Sequence, residues 1–310
     1  MPHFIQAKSI LNKTKRRDSW FLDDYTINPY SGCSFNCLFC YIRGSKYGVH
    51  MEEKLAVKEN AAALLDKALT LRARKGQYGY IVLSSATDPY LQIEKDTRIT
   101  RVLLEVILKH RFPLHVITRS DLIVRDFDLL DEIKNQAILP SDLTGLAPSG
   151  VLITFSFSTT NDAIAHIFEP GATPPSARLN AMARCLSGDF HTGVSLMPLL
   201  PYISDTSKHL HEMMGSFQRV GARYVMPASL TLFGNGPSGS KVLVMRAISK
   251  HFPDLTEKYR RFFEGKTAMP DYYLDALQKK MKELSRQYAL PDSIIDWPQT
   301  TPEADSEALS

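Results

Sequence analysis

VLITFSFS at residues 151–158 is a run of apolar and β-branched residues, typical of a strand that is buried on both faces. Shorter runs of the same kind occur before and after it, and stretches with the helical period separate them. The predicted strands cover residues 25–30, 80–84, 114–118, 151–158, 191–197 and 222–227. The predicted helices cover residues 55–74, 97–110, 125–136, 175–186, 206–220 and 272–288. This alternation predicts an α/β fold with a parallel sheet and right-handed crossovers.

Six β-α units are fewer than the eight of a closed barrel, so a partial barrel and an open doubly wound sheet both fit. We favour a partial (β/α)6 TIM-type barrel of parallel strands with a C-terminal helical extension. In either architecture, ligands bind at the carboxyl ends of the strands. We predict a basic N-terminal arm over residues 1–24, a core over residues 25–233 and an extension over residues 234–310, with a disordered tail after Pro298.

The composition is that of a globular protein without a membrane span. Of the 310 residues, 44% are hydrophobic and 23% are charged, and no apolar run reaches the length of about 18 residues that spanning requires. The first residues lack a signal-peptide core, so we expect a cytoplasmic protein. The net charge is +4, and its densest part is near the start. That basic run could contact phosphates, but we favour a solvated, mobile arm, comprising Lys13, Lys15, Arg16 and Arg17.

Three of the four cysteines form the motif Cys33-Ser-Phe-Asn-Cys37-Leu-Phe-Cys40. Such crowding favours metal or cluster ligation over disulfides. Three thiolates on one loop can hold three corners of a cubane iron–sulfur cluster, which leaves the fourth iron open to another ligand. The alternative is a structural zinc site, which needs a fourth ligand such as Cys185 or His50. We favour the cluster and interpret Cys185 as a small buried apolar residue.

At this motif the sequence resembles the radical S-adenosylmethionine (radical SAM) superfamily, in which an aromatic residue such as Phe39 usually precedes the last cysteine. The resemblance implies a [4Fe–4S] cluster whose open iron binds S-adenosylmethionine (SAM). It also implies reductive cleavage of SAM to a 5′-deoxyadenosyl radical, with electrons from a donor of the flavodoxin or ferredoxin type. A narrower resemblance, over about residues 8–233, is to the group related to spore photoproduct lyase, labelled as DNA-repair photolyase-like. It is carried by INPYSGC, SSATDPYLQIEKDTRITR, ITRSDLIVRDFDLL, FEPGATPPSARL and MPLLPYISD.

The resemblance implies SAM contacts at the ends of the second and third strands. Ser84, Ser85 and Asp88 are the candidates for the methionyl amine, although Asp88 could instead make an Asx turn before Pro89. The candidates for the SAM carboxylate are Arg119, by a bidentate pair, and Ser120. A surface position for Arg119 is the alternative.

A polar ligand is also expected beside the fourth strand. Ser156 and Ser158 share one face of it, because alternate strand residues point the same way. Glu169 and Arg178 could reach the ribose of SAM or pair with each other, and the sequence does not decide between these.

One departure from the spore photoproduct lyases concerns the hydrogen donor. Those enzymes carry a cysteine near the end of the second strand, where this chain has Ser84-Ser85-Ala86-Thr87. We therefore expect a radical SAM enzyme with an unidentified substrate, for which nucleic acid is a candidate. The alternative from another class is a non-catalytic protein that binds a metal or cluster and acts as a regulator or scaffold.

Overall fold

The structure, a computed structural model, describes residues 3–45, 55–84 and 86–296. Ten strands are present among these residues: β1 His3–Ile5, β2 Leu11–Lys13, β3 Tyr25–Ile27, β4 Tyr30–Ser31, β5 Ala56–Lys58, β6 Ile81–Leu83, β7 Leu114–Thr118, β8 Val151–Phe157, β9 His191–Leu199 and β10 Val225–Ser229. Seven of them form the main sheet in the order β10-β9-β8-β7-β6-β3-β2, of which all but β2 run parallel. The other three form a smaller sheet in the order β1-β5-β4.

The six parallel strands are neighbours in the sheet in the same order as in the chain. Each right-handed crossover therefore steps one strand further in one direction and places its helix on the same face. A doubly wound sheet instead reverses direction once, which this sheet does not. Among the described residues β10 pairs only with β9, so the sheet is not closed. The predicted α/β fold with a partial barrel is confirmed.

Ten α-helices are present in the described part of the chain, and most occur where the period predicts them. They are α1 Ala61–Arg74, α2 Glu94–Thr97, α3 Ile99–His110, α4 Phe127–Gln136, α5 Asp162–Phe168, α6 Pro175–Ser187, α7 Ser207–Val220, α8 Ser240–His251, α9 Thr256–Phe263 and α10 Asp271–Tyr288. The interior face of α3 shows why such a segment is helical: Leu103, Leu104 and Ile107 are fully buried at i, i+1 and i+4.

Two predicted helices differ in extent from the observed ones. The expected helix over residues 55–74 begins only at Ala61, because Ala56–Lys58 pair with β1 and β4 as the strand β5. The expected helix over residues 97–110 is interrupted at Arg98, whose left-handed φ of 51° ends α2 and precedes α3.

The basic N-terminal segment is part of the fold rather than a mobile arm. Strand β2, which contains Lys13, pairs antiparallel with β3 and extends the main sheet. The Arg17 guanidinium lies 2.8 Å from a carboxylate oxygen of Asp24 and also pairs with Asp142. The pairing of these charges and of the β2 backbone accounts for the order of this segment.

The C-terminal helices pack on different parts of the barrel: α10 contacts α7 and β10, whereas α8 contacts α5. The Gly/Ser-rich turn after β10 leads into α8, which contacts a short 3-10 helix at Tyr41–Gly44, beyond the cysteine motif. The domain boundaries remain a prediction, and the tail after Pro298 lies outside the described residues. None of the helices in the described ranges has the length and apolar character needed to cross a membrane.

Candidate functional site

The three clustered cysteines lie on one loop beyond β3 and β4, at the carboxyl edge of the parallel strands. The loop reverses through Asn36, which has a left-handed φ of 52°, and closes with the Cys40 N–H donating to the Cys37 carbonyl at 3.3 Å. All three thiols are free. Their position confirms that the loop follows the first strand of the barrel, where the sequence placed it.

The thiols are desolvated and close enough to influence one another. Burial raises the pKa of Cys33 to about 12 and that of Cys37 well above its usual value, with the neighbouring thiols adding to both. Burial also raises the pKa of Cys40, while the Arg119 cation acts in the opposite direction on Cys37 and Cys40. Ionising a desolvated thiol costs free energy unless a cation binds the thiolate that forms. This set of three thiols therefore suits a metal centre.

The arrangement of the donors bears on what kind of centre fits. Within residues 3–45, 55–84 and 86–296, no three His, Cys, Asp or Glu side chains are already grouped as ligands of a single metal ion. The corners of a cubane cluster belong to different irons, so its three thiolates stand further apart than the ligands of one zinc ion. Three free thiols on one loop, with no fourth ligand beside them among the described residues, fit the cluster better than zinc. His50, one of the two candidate fourth ligands, lies outside the described residues.

The peptide that follows α5 holds the cysteine loop from one side. The Leu38 N–H donates to the Phe168 carbonyl at 2.8 Å, and the Gly171 N–H donates to the Phe35 carbonyl at 3.0 Å. A Cβ on Gly171 would overlap the carbonyl oxygen of Ser34 and lie 2.9 Å from the Phe35 Cα. Only glycine allows this approach. Sequence reasoning missed this contact, although the Pro-Gly pair in FEPGATPP was a signal for a tight turn.

Arg43 holds the loop from the other side. Its Nε donates to the Cys37 carbonyl at 2.9 Å, its Nη2 pairs with the Asn36 side chain, and the residue is only 3% exposed. Because the Arg43 guanidinium is buried and bonded to the loop, it fixes the position of the loop. Nothing in the sequence pattern pointed to Arg43.

Asp88 is buried at the end of β6 and accepts three hydrogen bonds. Its Oδ1 accepts from the Tyr90 N–H at 2.9 Å and from the Thr118 hydroxyl at 2.8 Å, and its Oδ2 accepts from the Arg119 N–H at 2.7 Å. The bond to Tyr90 is the Asx-type turn that the sequence offered as an alternative. Burial raises the pKa of Asp88 to about 6, although these three hydrogen bonds act to lower it.

Two hydroxyls beside Asp88 are buried without a partner in the described part of the chain, those of Ser84 and Thr87. Ser84 has a left-handed φ of 68°, which turns the chain sharply where β6 ends. Buried hydroxyls normally find a partner, so these two indicate a polar group that binds there. Ser85 lies outside the described residues, and Thr87 was not among the predicted site residues.

Arg119 joins the cysteine loop to the peptide after α5 and to β9. Its guanidinium lies 5.4 Å from the centre of the Phe39 ring, and its Nη1 donates to Glu169 at 2.8 Å. Its Nη2 donates to the Met197 carbonyl at 2.9 Å. The side chain is 15% exposed, so Arg119 is not the surface arginine that the sequence also allowed.

Glu169 and Arg178 pair with each other, which settles one alternative that the sequence left open. Arg178 Nη2 donates to Glu169 at 2.5 Å, and the Ser158 hydroxyl donates to the same carboxylate at 2.5 Å. Although burial opposes it, Arg119 and Arg178 hold the pKa of Glu169 below its usual value. One buried carboxylate therefore connects two arginines, of which Arg119 faces the cysteines.

The remaining predicted serines have different surroundings. The Ser120 hydroxyl accepts from the Leu122 N–H at 3.2 Å and begins a 3-10 helix. Ser158 lies one residue beyond β8, and Ser156 is paired in register with Ser195 of β9. The two hydroxyl-bearing residues Ser156 and Ser195 thus lie side by side on neighbouring strands, and Arg178 donates to the Ser156 carbonyl at 2.6 Å.

A profile of the Radical SAM superfamily matches residues 27–214, more than half of the chain, and this range includes all the site residues described above. The chain belongs to the radical SAM superfamily. It is therefore an enzyme of the class that generates radicals from SAM. The superfamily implies a [4Fe–4S] cluster and SAM as cofactors and requires an electron donor.

Relatives of this radical SAM chain come from several organisms. An uncharacterised protein of Mycobacterium tuberculosis is 25% identical over 295 residues, which are 93% of this chain and 81% of the relative. An uncharacterised protein of Methanocaldococcus jannaschii is 36% identical over 135 residues, 42% of this chain and 47% of the relative.

Solved structures share the fold. Spore photoproduct lyase complexed with dinucleoside spore photoproduct superposes with a TM-score of 0.62 at 15% identity, covering 94% of this chain and 80% of that one. Streptococcus suis SuiB bound to the precursor peptide SuiA superposes with a TM-score of 0.51 at 12% identity, covering 85% and 46%. The predicted membership of the radical SAM superfamily is confirmed, and the match to spore photoproduct lyase shows that the two proteins share a fold.

Cys185 has surroundings different from those of the three loop cysteines. It lies on the buried face of α6, within the apolar core, and burial raises its pKa to about 12. It is a small core residue rather than a fourth ligand.

Proposed function

We propose that Cys33, Cys37 and Cys40 of this radical SAM enzyme hold a [4Fe–4S] cluster with one iron open, and that SAM binds there. The observation that carries the proposal is the loop of three free thiols at the carboxyl edge of the barrel, of which Cys37 is buried and near the Arg119 cation while Cys33 and Cys40 are partly exposed. When bound, the cluster and SAM supply an electron and a 5′-deoxyadenosyl radical that removes hydrogen from the substrate. The protein's own part is to bind, orient and exclude water.

Polar groups of the chain around the loop would orient SAM. Asp88 offers a carboxylate for the methionyl ammonium, and the unpartnered hydroxyl of Ser84 lies in the same turn. Arg119 offers its guanidinium to the carboxylate, while Glu169 fixes the position of that guanidinium. The other residues proposed to line the SAM site are Phe39, Ser85, Ser120, Ser156 and Ser158.

The substrate that we propose is a nucleic acid. In its support, spore photoproduct lyase resembles this fold over 80% of its own length and is complexed with a dinucleoside. SuiB, which is bound to a peptide, matches over only 46% of its length. The electron donor would be of the flavodoxin or ferredoxin type, as the sequence resemblance implies.

The proposal is tested by anaerobic reconstitution with iron and sulfide, followed by assay of 5′-deoxyadenosine from SAM under reduction. The wild-type protein should bind close to one cluster and form 5′-deoxyadenosine. Replacing a loop cysteine, as in Cys37→Ala, should remove the brown absorbance or leave it substoichiometric, and should abolish SAM cleavage.

Cys185→Ala is the matched control, since it removes a buried thiol outside the loop. It should retain iron and SAM cleavage. Loss of the metal from Cys185→Ala would indicate a four-cysteine site and overturn the proposal, as would zinc retained tightly without iron. A wild-type protein with a full cluster but no 5′-deoxyadenosine would favour the scaffold alternative.

A further inference from the structure

A basic cleft of about 630 Å³ opens on the outward face of α8, in the C-terminal helices. Three cations line it, Lys241, Arg246 and Lys250, of which the last two are one helical turn apart. Val242 and Met245 form an apolar floor between them. The described residues that line this cleft include no aspartate or glutamate, so its charged lining side chains are all positive.

The positive charge of the cleft is not neutralised from within. Neither Arg246 nor Lys250 has a hydrogen-bond or ion-pair partner among the residues that the structure describes, and both are exposed. The Lys241 ammonium is tied to the Phe263 carbonyl, which fixes its position without cancelling its charge. Unpaired cations that are held on one rigid helix suit an anionic ligand.

A second cleft, on α10, has a mixed lining instead. Its three cations, Lys279, Lys282 and Arg286, lie among the two acids Asp275 and Glu283. Mixed charges of this kind are typical of an ordinary solvated helix face. The two clefts have nearly the same volume, about 630 and about 650 Å³, so they differ in charge rather than in size.

The cleft adjoins the segment that supports the cysteine loop. Arg43 bonds the Cys37 carbonyl, and the next residue, Gly44, packs so tightly on Phe233 that a Cβ on Gly44 would overlap the Phe233 side chain. Asn235, two residues beyond Phe233, lines the cleft. A ligand bound in the cleft would therefore approach the site from the side of the cysteine loop.

We propose that this cleft binds the phosphodiester backbone of a single-stranded nucleic acid, one residue of which enters the site at the cysteine loop. The inference rests on the proposed function, since it assigns part of the binding surface for that substrate. Cations position phosphates without reading sequence, and an apolar floor accepts the sugars or base faces between them. A single strand fits because a base that reacts must leave its stack.

The test measures binding of a fluorescently labelled oligothymidylate of about 12 nucleotides to the reconstituted protein, by anisotropy at several salt concentrations. The wild type should bind with a steep salt dependence. Arg246→Gln/Lys250→Gln should bind on the order of tenfold more weakly at low salt and lower the salt slope by about 0.7 for each phosphate that is no longer neutralised. Lys279→Gln/Lys282→Gln removes the same charge from the α10 cleft and should bind as the wild type does.

If both double variants bound the oligonucleotide equally weakly, the loss of binding would come from overall charge. That result would overturn the inference. Full displacement of the strand by inorganic phosphate at matched ionic strength would assign the cleft to a free anion instead and would also overturn it. SAM cleavage by the wild type without oligonucleotide tests the proposed cofactor chemistry separately. A protein that cleaves SAM but binds no strand would refute the inference alone.

Discussion

The Arg119 guanidinium donates to the buried Glu169 carboxylate at 2.8 Å, although the two residues lie 50 positions apart in the chain. Glu169 in turn pairs with Arg178, so a single carboxylate stabilises two largely buried cations. This arrangement places a fixed positive charge beside Cys37 and Cys40. The stability of the fold and the electrostatics of the cysteine loop therefore depend on the same carboxylate.

Replacing Glu169 by glutamine should destabilise the protein strongly, because it removes the carboxylate that contacts two buried guanidinium groups. We expect the free energy of unfolding of the metal-free protein to fall by about 3–5 kcal/mol in urea titrations. Glu257→Gln, which breaks only exposed ion pairs with Arg260 and Arg261, should cause no measurable change. Equal stability of the two variants would contradict the view that Glu169 anchors the site.

Adding a methyl group at Gly171 should disturb the cluster site rather than the barrel. Its Cβ would meet the backbone at Ser34 and Phe35, which cannot yield as a flexible side chain does, so the cysteine loop must move. Gly171→Ala should lose most of its iron on reconstitution while keeping its far-ultraviolet circular dichroism. Gly236→Ala, which meets nothing within 4 Å, should retain full iron content. Normal iron content in Gly171→Ala would show that the loop tolerates displacement.

The buried ring of His115 should make stability pH-dependent. Nδ1 lies 2.8 Å from the Phe21 carbonyl and must donate to it, so the neutral ring accepts from the Thr154 hydroxyl at Nε2, 2.6 Å away. Burial lowers the pKa of His115 to about 4. The unfolded chain therefore binds the proton first as pH falls from about 6.5 to 4, and unfolding becomes easier across this range.

The expected loss from His115 is on the order of 3 kcal/mol between pH 6.5 and 4, measured by urea unfolding of the metal-free protein. His115→Leu removes this titration, so its unfolding free energy should fall less steeply with acid than that of the wild type. The exposed His166, replaced by glutamine, serves as the control and should leave the slope unchanged. Parallel slopes in the wild type and His115→Leu would refute the assignment.

The lack of a thiol after β6 predicts that the enzyme does not repair spore photoproduct cleanly. A substrate radical needs a hydrogen donor, and a hydroxyl O–H bond is far stronger than a thiol S–H bond. Ser84 offers only a hydroxyl there, and Cys185 is enclosed in the core on α6. Incubation with the photoproduct dinucleotide should form 5′-deoxyadenosine without stoichiometric thymine. Repeated conversion to two thymines would show that another residue, such as Tyr90, donates the hydrogen.

The sequence by itself determined the features that depend on short stretches. Runs rich in β-forming residues between helical stretches predicted all six parallel strands, most clearly at residues 151–158, because a strand buried on both faces, as β8 is, needs an apolar run. The spacing of Cys33, Cys37 and Cys40 predicted the ligand loop, since three thiols so close in the chain remain close in any fold. The strand-to-turn peptides likewise located Asp88 and Arg119 at the carboxyl ends of β6 and β7.

Only the tertiary structure decided which distant groups meet. The Glu169 carboxylate could have bound a ligand or an arginine, and packing of the peptide after α5 against the cysteine loop gave it two arginines. Gly171 acquires its role only because the fold brings it against the backbone of Ser34 and Phe35, more than 130 positions earlier. The sequence of α8 has an ordinary amphipathic pattern. Only the structure shows that no acidic side chain lies among the described residues that line the cleft on its outer face. Local sequence patterns indicate secondary-structure propensity and spacing, whereas the tertiary partners of a side chain depend on how the elements pack.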